Sequence, residues 1–308
     1  MIHYIQHKEI DISKWDACID EAANGNIYAY SWYLDAACEQ WDALVEGDYE
    51  MVMPLPFRRK MGVSYVFPPT MTQQLGVLGR SLPTTEKVKE FIAQIPSKFK
   101  YCEINLNHGN IVESNAYQAS EHTNLELDLN RPYEELHAAF SENTRRNLRK
   151  TEHVKIRVWK KGSIRNLLQL FKNTKAVEIK TLPDDFYKVV EKVGKRLIER
   201  GQAEIWEVSV NVDLCAGVLF AFSHNKAYFL FSAATSAAKE NNIMHYLIDK
   251  FIEEHAGQDK VLDFEGSDNK NLARFYKSFG ATEKNYQKIV VNRLPGALLK
   301  LVRKIRKK

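Results

Sequence analysis

Two stretches of this sequence can be laid over one another in register, and that constrains the fold more than composition does. Lys89-Glu90-Phe91-Ile92 is followed by Cys102-Glu103-Ile104-Asn105, and Asp249-Lys250-Phe251-Ile252 by Leu262-Asp263-Phe264-Glu265. From Phe91 to Ile104 is 13 residues, as it is from Phe251 to Phe264. In each half a helical pattern precedes the strand, and a strand–turn–strand hairpin precedes the helix (51–57 with 63–67, then 214–222 with 226–233). A repeated unit of that order is α+β, with a mixed, mostly antiparallel sheet flanked by helices in each half. The expected division is a first unit over 1–130, a basic connecting helix over 131–153, a second unit over 154–293 and a tail over 294–308.

Length agrees, since 308 residues suit two domains. Apolar residues at 44% and charged residues at 27% belong to a folded chain, not a disordered one. The four cysteines, Cys18, Cys38, Cys102 and Cys215, form no C-x-x-C pair, which excludes zinc ribbons and thioredoxin-type redox chemistry. They read as buried thiols in a reducing, cytoplasmic setting. The first residues lack a basic stretch running into an apolar one, so no signal peptide is expected. The longest apolar run, about 215–222, is far short of the ~20 residues that span a bilayer. His3 and His7 fall in or beside a predicted strand, where that spacing does not chelate, and no metal site is expected.

Charge is uneven. The stretch 294–308 holds six cations and no acid, and without it the formal charge falls from +5 to −1. Leu298, Leu301, Val302 and Ile305 repeat at helical spacing, so this tail is either an amphipathic helix for an anionic membrane face or a terminal helix docked on the body. A second cluster, 145–161, sets eight cations against Glu152. Within it Arg145, Arg146 and Arg149 could clamp a phosphate, or simply face solvent.

Chemistry concentrates between 261 and 281. A strand over 261–265 would carry Asp263 and Glu265 on one face, and Asp268 or Asn269 would cap a helix over 271–279 that holds Tyr276 and stops at Gly280. Asn269, Tyr276 and Gly280 resemble the spacing of the GNAT acyltransferase superfamily. Asp263-Phe264-Glu265-Gly266, the Phe275–Gly280 segment and the Asn-Thr-Arg-Arg-Asn-Leu-Arg-Lys helix at 143–150 resemble the FemABX group, whose members are two GNAT-like units in tandem.

That resemblance implies amide formation, with an amine attacking an acyl group carried by acyl-CoA or aminoacyl-tRNA as donor substrate and no tightly bound cofactor. The expected roles are Glu265 as general base, Asp263 as second choice, and Tyr276 as general acid. Backbone N–H groups along Phe231, Ser232, Ala233 and Ala234 would polarise the acyl carbonyl, with Asn269 beside them at the donor site. Arg145, Arg146 and Arg149 would meet a small-molecule amine or peptide-like acceptor, or tRNA. Each also has a structural reading: the carboxylates orient the Asn269 turn or pair with cations, and the tyrosine packs. Alternatives are a cell-wall peptidyltransferase and a non-catalytic GNAT-fold protein at the membrane surface. Tyr276 stands where the peptidyltransferases show lysine, and 233–242 contains no glycine to cradle a pyrophosphate.

Overall fold

The computed structural model describes residues 1–60, 62–113, 117–179, 182–183, 185–266 and 268–294. The expected tail lies, from residue 295 onward, outside the described residues. The described residues divide into two compact units, one of 1–122 with 285–294 and the other of 123–284.

The first unit carries β1 (Ile2–Ile5), β2 (Trp41–Glu46), β3 (Met51–Lys60), β4 (Val63–Val66), β5 (Leu78–Gly79), β6 (Phe99–Asn105) and β7 (Gln118–His122), with α1 (Ile12–Asp20), α2 (Ser31–Ala37) and α3 (Thr85–Ala93). The second carries β8 (Leu125–Asp128), then α4 (Tyr133–Ala138), α5 (Glu142–Thr151), β9 (Ile156–Trp159), α6 (Ile164–Asn173), α7 (Lys175–Glu178) and α8 (Phe186–Glu199). It continues through the antiparallel run β10 (Ala203–Val210), β11 (Asp213–Ser223) and β12 (Lys226–Ala234), and then α9 (Ser236–Glu240), α10 (Ile243–His255), β13 (Val261–Asp263), α11 (Lys270–Lys277) and β14 (Thr282–Glu283). The last strand, β15 (Tyr286–Asn292), belongs to the first unit.

The repeat read from sequence is real. One sheet runs β1-β2-β3-β4-β6-β15-β7 and the other, read the same way, β9-β10-β11-β12-β13-β8-β14. In both, an antiparallel hairpin leads into a helix and then a parallel partner, β4 with β6 and β12 with β13. The strand in the sixth position comes from elsewhere in the chain: β15 pairs with β6 and β7, while β8 pairs with β13 and β14. This corrects the expected boundaries. The strand near 125 belongs to the second sheet, not to a 1–130 unit, and the strand near 290 completes the first sheet instead of ending the second.

The 131–153 stretch is likewise no connector. Ser141 caps α5 by accepting from Thr144 N at 3.1 Å, and Thr144 Oγ1 donates to Ser278 Oγ at 2.8 Å at the end of α11. The Tyr133 hydroxyl donates to Asp249 of α10 at 2.8 Å. These bonds, with Leu136, Phe140 and Leu148 in the core, fix both helices within the second unit.

Helix faces follow the apolar spacing. Thr84 caps α3, which buries Val88, Phe91 and Ile92. Helix α10 buries Leu247, Ile248, Phe251 and Ile252. The Phe251 ring stacks on Phe220 at 3.8 Å and meets Trp206 at 5.4 Å, so Phe251→Ala would cost about 3–5 kcal/mol. All four cysteines are buried.

Candidate active site in the second unit

The site begins with an unequal pairing. Strand β12 pairs with β11 along its length but with β13 only over Lys226–Tyr228, where β13 ends at Asp263. One extra residue, Leu230, bulges between the Phe220–Phe229 and Leu219–Phe231 pairs. Among the described strands, none pairs the outer edge of β12 past Tyr228. Thr235 N donates to Cys215 O at 2.8 Å, which fixes the alternation. The N–H groups of Ser232 and Ala234 therefore point away from β11. Of the four residues expected to polarise a carbonyl, these two face the opening; those of Phe231 and Ala233 turn toward β11.

Ser232 and Ala234 line a cavity of about 330 Å³ together with Phe229, His245, Phe275 and Tyr276. Such residues give an apolar pocket with a few convergent polar groups, the usual form of a small-molecule site. Tyr276 is only 5% exposed, its ring stacked on Phe264 at 4.6 Å. Burial, and secondarily the charge of Glu265, push its phenol above the ordinary tyrosine value. It remains a hydrogen-bond donor at neutral pH.

Asp263 and Glu265 do not share a strand face as expected. Strand β13 stops at Asp263, and Glu265 turns left-handed at φ 56°, followed by Gly266 at φ 51°. A Cβ on Gly266 would lie 2.0 Å from the Thr123 carbonyl oxygen, so the turn is wedged against backbone and needs glycine. Asp263 is 2% exposed; its Oδ1 accepts from Glu265 N at 2.8 Å and its Oδ2 lies 3.5 Å from Lys226 Nζ, which also pairs with Glu126 at 2.5 Å. Burial pushes the Asp263 carboxyl up, Lys226 opposing it. Asp263 thus holds the turn from below, while Glu265, half-buried, sits close enough to raise the phenol. Asn269 caps α11, accepting from Asn271 N at 3.0 Å and Leu272 N at 3.4 Å.

The three arginines separate. Arg145 and Arg149 line another cavity of the second unit, about 470 Å³, with Tyr133, Asp249 and Lys250, while Arg146 donates to Asn143 Oδ1 at 2.6 Å on the same helix. Arg145 also donates to the carbonyls of Ala138 and Phe140, at 2.8 and 2.7 Å. Lys277 pairs with Glu283.

Sequence reasoning missed three wall residues. His245 packs edge-on against Phe275 at 4.9 Å, its Nε2 3.3 Å from Asn147 Nδ2. Burial lowers its pKa to about 4, so the ring is neutral near pH 7. Lys175 reaches Ser232 Oγ at 3.4 Å, and Lys239 lines the same cavity. No local spacing announces them; His245 and Asn147 meet only because α5 packs on α10.

Residues 138–278 match a family model described as an acetyltransferase (GNAT) domain. The second unit is a GNAT domain. No curated protein matches the chain. Among solved structures, FemX has a similar fold, with a TM-score of 0.67 and 13% identity, covering 97% of this chain and 99% of that one. A tandem GNAT protein from the clavulanic acid biosynthesis pathway aligns with a TM-score of 0.55 and 9% identity, over 96% of this chain and 100% of that one. The structure of L-PGS from Bacillus licheniformis aligns at 0.54 and 11%, over 95% of each. At these identities the likeness is one of fold: two GNAT-like α+β units in tandem.

Proposed function

We propose that this protein is an N-acyltransferase that joins an activated acyl or aminoacyl group to an amine. The observation that carries the reading is the unpaired edge of β12, where Ser232 and Ala234 N–H groups face the same cavity as the Tyr276 phenol. Those N–H groups suit the oxygen of a carbonyl that becomes tetrahedral and anionic. In the reaction the amine nitrogen bonds to the acyl carbon and the carbon–sulfur or carbon–oxygen bond to the leaving group breaks. The proton lost by the amine passes to Glu265, directly or through water, and the leaving atom draws on the Tyr276 O–H.

One donor class is favoured by the segment that would have to hold a diphosphate. The 233–242 segment has no glycine, so side chains limit how closely a diphosphate can approach its backbone N–H groups, and Thr235 Oγ1 already takes the Ala238 N–H at 3.1 Å. An ester donor such as aminoacyl-tRNA therefore fits better than acyl-CoA, and the Arg145 and Arg149 cavity supplies cations for its phosphates.

The test is product formation, read by mass spectrometry, from acetyl-CoA and from aminoacyl-tRNA with a panel of amines and short peptides. Amide formation from the ester donor, lost in Tyr276→Phe and Glu265→Gln, is expected. Activity retained in both variants would overturn the roles, and no amide from either donor would overturn the reading.

A further inference from the structure

The internal repeat assigns the first unit its own counterparts of the second unit's acidic turn. The register that sets Phe91 on Phe251 places Glu103 on Asp263 and Asn105 on Glu265. Around them the first unit is built differently. The parallel pairing of β4 with β6 ends at Val66 and Cys102. The chain then runs through Phe67-Pro68-Pro69 and returns, Leu75 N donating to Asn105 O at 2.8 Å and Asn107 N to Leu75 O at 2.9 Å. The returning segment closes most of the opening. The space left is a slot of about 10 Å³, roughly the room one water occupies, with Phe67 in its wall.

Two side-chain oxygens in this slot have no partner. Thr72 is 8% exposed and its Oγ1 is unsatisfied; Asn105 Oδ1 is unsatisfied too, while its Nδ2 is committed to Gln73 O at 2.8 Å. Buried polar atoms without partners are costly, and such groups in a folded protein call for an explanation. The slot's third polar wall is Glu103, 5% exposed, with Tyr101 O–H at 3.5 Å and Lys288 Nζ at 4.0 Å. Gln73 is the fourth polar wall, its Oε1 accepting from Gln74 Nε2 at 2.8 Å, and the remainder is apolar, with Pro54, Pro56 and Pro68 lending no N–H at all. The two unsatisfied atoms and the Glu103 carboxylate are all oxygens. The slot is matched to a group that only donates, and its size admits one heavy atom with its hydrogens.

We propose that the first unit binds a primary ammonium group in this slot, with Thr72 Oγ1, Asn105 Oδ1 and the Glu103 carboxylate as its acceptors and the ligand's alkyl stem lying over Phe67 and the prolines. Carboxylate and phosphate ligands are excluded by the same oxygens. A guanidinium is too broad for the slot. This proposal concerns binding alone and does not rest on the acyl-transfer reading.

The full-length protein is titrated with n-butylammonium, and with tetramethylammonium and n-butanol as controls, by calorimetry and thermal shift. Wild type is expected to bind n-butylammonium at least ~10-fold tighter than either control. Thr72→Val and Asn105→Leu should each weaken it by ~10-fold or more, and Glu103→Gln by at least as much. Without ligand, Thr72→Val should melt no lower than wild type, because it deletes a hydroxyl that has no partner. That result also shows the variant to be folded. Equal response to butanol or tetramethylammonium, no response at millimolar butylammonium, or unchanged binding in the three variants would each overturn the proposal.

Discussion

The two units lay out their strands in one order yet finish the same edge in opposite ways. In the second, β12 continues six residues beyond its last partner on β13, through Phe229–Ala234, and leaves N–H groups directed at a cavity. In the first, β4 halts at Val66, two prolines come soon after, and the chain folds back so that Leu75 bridges Leu106. Proline has no N–H to offer a substrate and cannot continue a ladder. The comparison teaches that topology supplies the place for chemistry, and that the segment beyond the shared strand decides whether the place stays open. One unit leaves the edge open beside a cavity; the other uses it for its own backbone.

The exchange of β8 and β15 gives the largest test. A chain ending at Lys284 lacks the strand that lies between β6 and β7, so two ladders of the first sheet are lost at once. The first unit should lose its cooperative melting transition while the second keeps its own, because 123–284 contains every strand of its sheet. Calorimetry of the truncated chain beside the full one reads this directly. Two intact transitions would break the symmetry drawn between the units.

Gly266 gives the next largest effect. Its counterpart in the first unit is Leu106, which tolerates a side chain because no turn is wedged there. Gly266→Ala must move the Thr123 carbonyl or abandon φ 51°, and should cost at least about 3 kcal/mol. Gly257→Ala, at φ 74° with open space around it, should cost only about 1–2 kcal/mol. Urea unfolding of both variants measures the gap; equal losses would mean that conformation, not the wedge, sets the requirement.

Much of this was legible beforehand, and the misses share a cause. The repeat and the cap that Asn269 makes on α11 are local patterns, and local patterns survive in sequence. The fate of β8 and β15 is not local, because alternation marks a strand without naming its neighbour. Alternation also misled at Glu265. Period two holds only while the strand lasts, and Asp263 ends it by accepting the Glu265 N–H. The helical pattern expected before the strand at 261 is present as α10, but it gave no hint of α9 or that His245 would reach the cavity.

Catalytic substitutions separate the units functionally. Tyr276→Phe and Glu265→Gln should each lower kcat by about 10²-fold, equivalent to about 2.7 kcal/mol. Thr85→Ala, at the first unit's match for His245, should change kcat less than about 2-fold, since the matching strand edge in that unit is taken by its own backbone. A loss of turnover with Thr85→Ala as large as that with Tyr276→Phe would erase the distinction between the units.

The smallest expected effect is a pH limb that belongs to the second unit alone. His245 has Thr85 as its counterpart at the start of α3, so the first unit has no matching titration. Burial lowers the folded pKa of His245 to about 4, against about 6.5 for an unfolded histidine. Between those values the unfolded chain binds the extra proton and the folded one does not. Stability from this group is therefore complete above pH 6.5 and declines as pH falls toward 4, by on the order of 2 kcal/mol given its partial exposure. Buried His255 shifts the same way and shares the limb, so His245→Gln should flatten it without abolishing it. Asp263 acts in the opposite sense: its raised folded value, about 6, makes the folded state the better proton binder between about 4 and 6, which offsets part of the histidine loss. Melting recorded from pH 7.5 to 4.5 should thus move the transition of the second unit, and less in His245→Gln than in wild type. An identical slope in the variant would take His245 out of the buried wall of the cavity.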